Sequence, residues 1–128
     1  MADQSRNQAR LLVVDDHAEV RQRLCELLAE YWSVCGEAVN GIDAISEVRR
    51  LQPDLVVMDM FMPRMSGVEA AREIRANFPA MPILLLTTPD VVTEDDARSV
   101  GIRGMVSKTA PDTLVPGVQA LLRGEEFF

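Results

Sequence analysis

Four short apolar runs punctuate the chain: Leu11-Leu12-Val13-Val14, Leu55-Val56-Val57-Met58, Ile83-Leu84-Leu85-Leu86 and Met105-Val106-Ser107. Runs this short and this apolar read as strands of a parallel sheet buried on both faces. Ser33-Val34-Cys35-Gly36-Glu37-Ala38 is a weaker fifth strand. Between the runs, apolar residues recur at helical spacing. Val20, Leu24, Leu27, Leu28 and Tyr31 predict a helix from about His17 to Tyr31. Asn40-Gly41 reads as a turn, and Ala44, Ile45, Val48 and Leu51 predict a second helix ended by Pro53. Ser66 followed by Glu69 is a capping box, opening a helix with inner face Val68, Ala71, Ile74 and Phe78. Thr93 and Asp96 form a second such pair, before a short helix ending at Gly101. A last helix runs to about Arg123, and Pro116-Gly117 near its start predicts a late or kinked beginning.

Five β-α units with right-handed crossovers put helices on both faces of one sheet. The predicted class is α/β, a doubly wound five-stranded parallel sheet of order 2-1-3-4-5 with five helices, flavodoxin-like. The expected division is a disordered leader over 1–9, one domain over 10–124, and a linker or C-terminal tail from 125 to 128.

In an open sheet of this kind, ligands bind outside the carboxyl ends of the strands. Asp15 and Asp16 follow the first run, Asp59 the second, Thr87 the third and Lys108 the fourth. Three carboxylates, a hydroxyl and an ammonium therefore converge on one edge. Any one of them alone is an ordinary cap or turn residue. Together they suit a divalent cation and a phosphoryl group: Mg²⁺ takes carboxylate, phosphate and water oxygens, and phosphoryl transfer needs positioning and charge neutralisation. So many carboxylates at one edge raise one another's pKa unless a cation joins them.

Composition narrows the function classes. The net charge of −7 argues against this domain gripping a nucleic-acid backbone. Cys25 and Cys35 lack metal-ligand spacing and read as reduced thiols of a cytoplasmic protein. The polar start has no signal-peptide core, and no apolar stretch is long enough to span a membrane.

In its motifs the chain resembles the receiver (CheY-like) domain of bacterial two-component response regulators. The matching stretches are Leu12-Val13-Val14-Asp15-Asp16-His17, Pro53 to Pro63 around Asp59, Ser66-Gly67, Pro82 to Thr87, and Gly104-Met105-Val106-Ser107-Lys108. The Asp15-Asp16-His17 start and the Leu121-Leu122-Arg123-Gly124-Glu125 ending further resemble the NarL/FixJ-type subclass, whose members usually continue into a LuxR-type DNA-binding domain.

The resemblance implies a phosphoacceptor, not a turnover enzyme. Asp59 would take a phosphoryl group from a histidine kinase or phosphotransfer protein. Asp16, Asp59 and the backbone carbonyl of Phe61 would ligate Mg²⁺ (or Mn²⁺), with Asp15 acting through metal-bound water. Thr87 and Lys108 would hold phosphoryl oxygens, and Thr87 would move inward on phosphorylation. The helix 4–strand 5–helix 5 face would read out the change, with self-association on phosphorylation.

Departures from the pattern cluster on that face. Met105 stands where an aromatic switch residue is usual, and a thioether couples less sharply to Thr87. Thr88 replaces a small residue and narrows access to the site. Thr109 replaces a frequent cis proline after Lys108, so a trans bond is expected. Pro89 and Phe61 flank the path of attacking water with groups that cannot orient it, which predicts slow dephosphorylation. Rival readings are a degenerate receiver used only as an interaction module, a stand-alone receiver, a haloacid-dehalogenase-like phosphatase and a flavodoxin-type flavin domain. The phosphatase lacks its general acid, since Phe61 holds that position, and the acidic first loop suits no flavin phosphate.

Overall fold

The computed structural model describes residues 8–88 and 90–128, so most of the expected leader and Pro89 lie outside the described residues. The strands are β1 (Arg10–Val14), β2 (Ser33–Ala38), β3 (Leu55–Asp59), β4 (Ile83–Thr87) and β5 (Gly104–Ser107). The helices are α1 (Ala18–Ala29), α2 (Gly41–Leu51), α3 (Gly67–Asn77), α4 (Glu94–Ser99) and α5 (Leu114–Leu122), the last entered through a 3₁₀ turn at Pro111–Thr113. All neighbouring strands pair parallel, in the order β2-β1-β3-β4-β5. The α/β doubly wound expectation holds.

Alternation along the strands sorts the core into two layers. Leu11, Val13, Leu55, Val57, Leu84, Leu86 and Val106 face α1 and α5, where they meet Leu28, Leu114, Val118 and Leu121. Leu12, Val14, Val56, Met58, Ile83 and Leu85 face the other way, onto Ala44, Val48, Ala70, Ala71, Ile74 and Ala97 of α2, α3 and α4. Burial on both sides is why these runs carry no polar alternation. β2 is an edge strand and only half-buried, which accounts for its weaker pattern.

Local signals are read with several corrections. The Ser66–Glu69 capping box is complete: Glu69 N–H donates to Ser66 Oγ at 3.2 Å and Ser66 N–H donates to Glu69 Oε1 at 2.9 Å. Ala70 joins α3's buried face, while Val68 and Phe78 are only half-buried. At α4 the box is one-sided: Thr93 Oγ1 accepts from the Asp96 N–H, and no return bond forms among the described residues. Asn40-Gly41 is no free turn. Asn40 caps α2 by accepting from the Asp43 N–H at 2.8 Å, and Gly41 is the first helical residue. α1 stops at Ala29 rather than Tyr31, and Tyr31 is exposed beside the Trp32 ring. Pro116 does not delay α5, which starts at Leu114; it falls in the first turn, where the missing N–H would have had no helical partner.

Candidate functional site

The sheet ladder runs past the strand ends and fixes the backbone of the site. Asp15 N–H donates to the Ala38 carbonyl at 3.1 Å, Met60 N–H to the Leu86 carbonyl at 2.8 Å, and Lys108 N–H to the Thr87 carbonyl at 2.9 Å. The loops that follow are therefore launched from positions set by the core. Gly67 N–H donates to the Met60 carbonyl at 2.9 Å, drawing the start of α3 under the β3 loop. A Cβ on Gly67 would lie 2.6 Å from the Asp59 carbonyl oxygen, so only glycine allows this approach.

Asp15, Asp16 and Asp59 meet as expected. One ligand atom from each, with one from His17, falls within 4.8 Å of all the others. Asp15 and Asp59 are fully buried and Asp16 is partly so. Asp59 Oδ1 is doubly engaged, by Lys108 Nζ at 2.8 Å and by the Phe61 N–H at 3.1 Å. Asp15 Oδ1 accepts the His17 N–H at 2.8 Å. The remaining buried oxygens, Asp15 Oδ2, Asp16 Oδ1 and Asp59 Oδ2, have no hydrogen-bond partner among the described residues. Buried carboxylate oxygens without donors are costly. Burial pushes the Asp15 carboxyl above its usual range; the His17 N–H opposes this, and the Asp59 charge raises it further. The donor set, all oxygen apart from one imidazole, suits a hard divalent cation such as Mg²⁺.

Thr87 is buried at the end of β4, and its hydroxyl donates to the Thr88 carbonyl at 3.3 Å. Beside it opens a cleft of about 340 Å³ lined by Thr87, Thr88, Val92, Met105 and Ser107 among others. Met105 is half-buried there and packs onto the core layer of α2, α3 and α4. The peptide bond from Lys108 to Thr109 is trans. Phe61 is 44% exposed, with Lys108 Nζ 5.8 Å from its ring centroid.

Two participants were not anticipated in their roles. His17 was seen as part of a motif, but its Nδ1 stands 3.3 Å from Asp16 Oδ1, and it caps α1 with no side-chain bond. Arg21 donates through Nη1 to the Asp15 carbonyl and through Nε to Glu37 Oε1, both at 2.8 Å, tying the acidic loop to β2. The only sequence signal for that bracket is one basic residue on α1 and one acidic residue on β2, a pairing visible only once the strands are adjacent.

The chain matches the response regulator receiver domain family over residues 11–119. It belongs to that family. Among curated relatives, the receiver domain is 36% identical to the transcriptional regulatory protein YdfI of Bacillus subtilis (strain 168) over 90% of this chain and 55% of that protein. It is 34% identical to the response regulator protein VraR of Staphylococcus epidermidis over 93% of this chain and 59% of that protein. It thus spans little more than half the length of either. Among solved structures, a LuxR-family two-component response regulator from Aurantimonas sp. SI85-9A1 superposes with a TM-score of 0.89, at 33% identity, covering 95% of this chain and 90% of that one. The isolated receiver domain of RcsB from Salmonella enterica serovar Typhimurium, with the phosphomimetic BeF₃⁻, gives 0.83 at 25% identity, covering 94% and 93%. Among the described residues, no helix of this receiver domain is long and apolar enough to cross a membrane.

Proposed function

We propose that Asp59 accepts a phosphoryl group from the phosphohistidine of a histidine kinase or phosphotransfer protein. The single observation that carries this is the division of labour between its two oxygens. Oδ1 is held by Lys108 and the Phe61 N–H, whereas Oδ2 is buried and has no partner among the described residues. Oδ2 is therefore the oriented nucleophile. It forms the new O–P bond as the P–N bond of the donor breaks, and the imidazole leaves with the electron pair. Lys108 neutralises oxygens of the incoming group, and Thr87 supplies a hydroxyl to them after turning from the Thr88 carbonyl. Asp15, Asp16, Asp59 and the Phe61 carbonyl are the groups that would hold Mg²⁺, or Mn²⁺ in its place. When bound, the ion supplies the positive charge that lets two anions approach.

Val20, Val39, Ile42, Phe61 and Val91 are all exposed on loops or first helical turns at this same edge of the sheet. An apolar rim around an acidic centre suits a protein donor surface. The receiver is a stoichiometric acceptor rather than a turnover enzyme, since the Phe61 side chain has no polar atom to orient a hydrolytic water. It works in the cytoplasm and binds no nucleic acid itself. It controls transcription through an output domain of the kind its longer relatives imply, with self-association on phosphorylation.

Incubation with acetyl phosphate and Mg²⁺ tests the reading. One phosphoryl group per wild-type chain is expected, none on Asp59→Asn, and no metal response from Asp16→Ala. Full labelling of Asp59→Asn would refute it.

A further inference from the structure

The segment after α5 does not leave the domain. Gly124, at φ +83°, turns the chain back, and Phe127 pairs in parallel with Gly104. Phe127 N–H donates to the Arg103 carbonyl at 3.0 Å, and Met105 N–H donates to the Phe127 carbonyl at 2.9 Å. The segment thereby covers the start of the open edge of β5, at Gly104. Its side chains straddle that edge: Phe127 packs into the layer of α1 and α5, and Phe128 into the layer of α2, α3 and α4. Glu126 Oε1 meets Arg98 Nε of α4 at 3.1 Å, and the same guanidinium lies 4.4 Å over the Phe128 ring. Room for the segment comes from two glycines. A Cβ on Gly104 would lie 3.0 Å from the Phe127 carbonyl oxygen, and one on Gly117 would lie 3.2 Å from Phe127 Cδ2.

This is strand addition, with main-chain bonds for affinity and flanking pockets for alternate side chains. We propose that the edge of β5 is a binding site for an extended segment, that its occupant is Glu126-Phe127-Phe128 of this chain, and that this strap holds α4, β5 and α5 in their unphosphorylated arrangement. Met105 is the point of coupling. Its side chain lines the cleft beside Thr87 while its N–H is bound to the strap. A displacement of Met105 that follows Thr87 loads the bond to Phe127 directly, and a displacement of α4 loads the Arg98 contacts. Occupation also closes an edge that would otherwise invite pairing with another chain. The strap is consequently weakened by phosphorylation and, by reciprocity, opposes it.

The coupling rests on Asp59 being the phosphoacceptor, and the experiment separates the two claims. Amide hydrogen exchange is followed by NMR in the full 128-residue chain, with and without beryllofluoride and Mg²⁺, while ¹⁹F signals report occupancy of Asp59. Bound beryllofluoride should speed exchange at Met105 and Phe127 several-fold, with Val57 and Leu85 unchanged. Phe127→Ala should speed Met105 exchange at least tenfold and raise the rate of labelling by acetyl phosphate. The surface pair Arg98→Gln and Glu126→Gln should do the same more weakly, and stands in should Phe127→Ala not fold. A ¹⁹F signal with unchanged or slower exchange at Met105 overturns the strap alone. Absence of any ¹⁹F signal overturns the phosphoacceptor reading and the coupling with it. Met105 protection that rises with protein concentration would show the occupant to be a second copy, and overturn the claim that the strap binds its own chain.

Discussion

The two working edges of the sheet are built on opposite terms. At the carboxyl edge, buried charge is left incompletely satisfied: Asp15 Oδ2 and Asp59 Oδ2 have no hydrogen-bond partner among the described residues, and Asp16 Oδ1 has only the His17 imidazole, 3.3 Å away. At the start of the β5 edge the contacts are made: Arg103 and Met105 backbone groups meet Phe127, Glu126 meets Arg98, and the Phe127 and Phe128 rings are packed. The first arrangement costs stability and, on the proposed function, is what a cation and a phosphoryl group would relieve. The second stabilises and restricts movement. A switch needs both: a place where binding releases electrostatic strain, and a contact set that differs between the two states.

Two glycines give the sharpest way to break the comparison. Gly67→Ala should be the more damaging, because its Cβ meets immovable backbone, 2.6 Å from the Asp59 carbonyl. A destabilisation of about 1–3 kcal/mol is expected from such overpacking, with acetyl phosphate labelling slowed by an order of magnitude or more as α3 and the Asp59 loop separate. Gly104→Ala meets the ends of Leu84 and Leu121, which can turn aside, and the Phe127 carbonyl oxygen at 3.0 Å, which can move off with the strap. It should cost less stability and leave the labelling chemistry intact, while losing amide protection at Met105. Denaturant titration with labelling kinetics decides the ranking; equal labelling defects in both would erase the distinction between the edges.

The electrostatic side is sharpened by Asp15→Asn. The amide keeps an acceptor for the His17 N–H and removes a buried charge beside Asp59 and Asp16. Without added metal at neutral pH, unfolding should become harder by on the order of 1 kcal/mol, the scale of a single relieved functional strain. The response of stability to Mg²⁺ should fall at the same time. Thermal melts with and without Mg²⁺ provide the check, and a metal-free loss of stability would contradict the account of the acidic edge.

A further effect, confined to alkaline pH, concerns a region that belongs to neither edge. Burial, reinforced by Glu37, pushes the Cys25 thiol from 9.0 up to about 11. The folded state thus favours the thiol over the thiolate. Its contribution is complete below pH 9 and is lost as pH rises towards 11. Cys25→Ala should flatten the fall in stability over that window. At pH 8 native Cys25 should alkylate far more slowly than in the unfolded chain.

Much of this was legible in the residues because the physical rules involved are local. Short apolar runs can be satisfied only as strands buried on both faces, and five such units with right-handed crossovers leave few sheet orders. The strand ends then deliver Asp15, Asp16, Asp59, Thr87 and Lys108 to one edge without further information. Capping at Ser66 was equally readable, being a bond between residues three apart. Tertiary structure decided whatever depends on distant partners. Which Asp59 oxygen is free follows from where Lys108 arrives, and the role of Gly67 follows from how closely α3 approaches β3. Residues 125–128 look like the opening of a linker, because nothing in Glu-Glu-Phe-Phe specifies a partner. Only the assembled sheet offers an open β5 edge, a glycine at each contact and an arginine within reach, and long-range pairing of that kind leaves no periodic trace in the sequence.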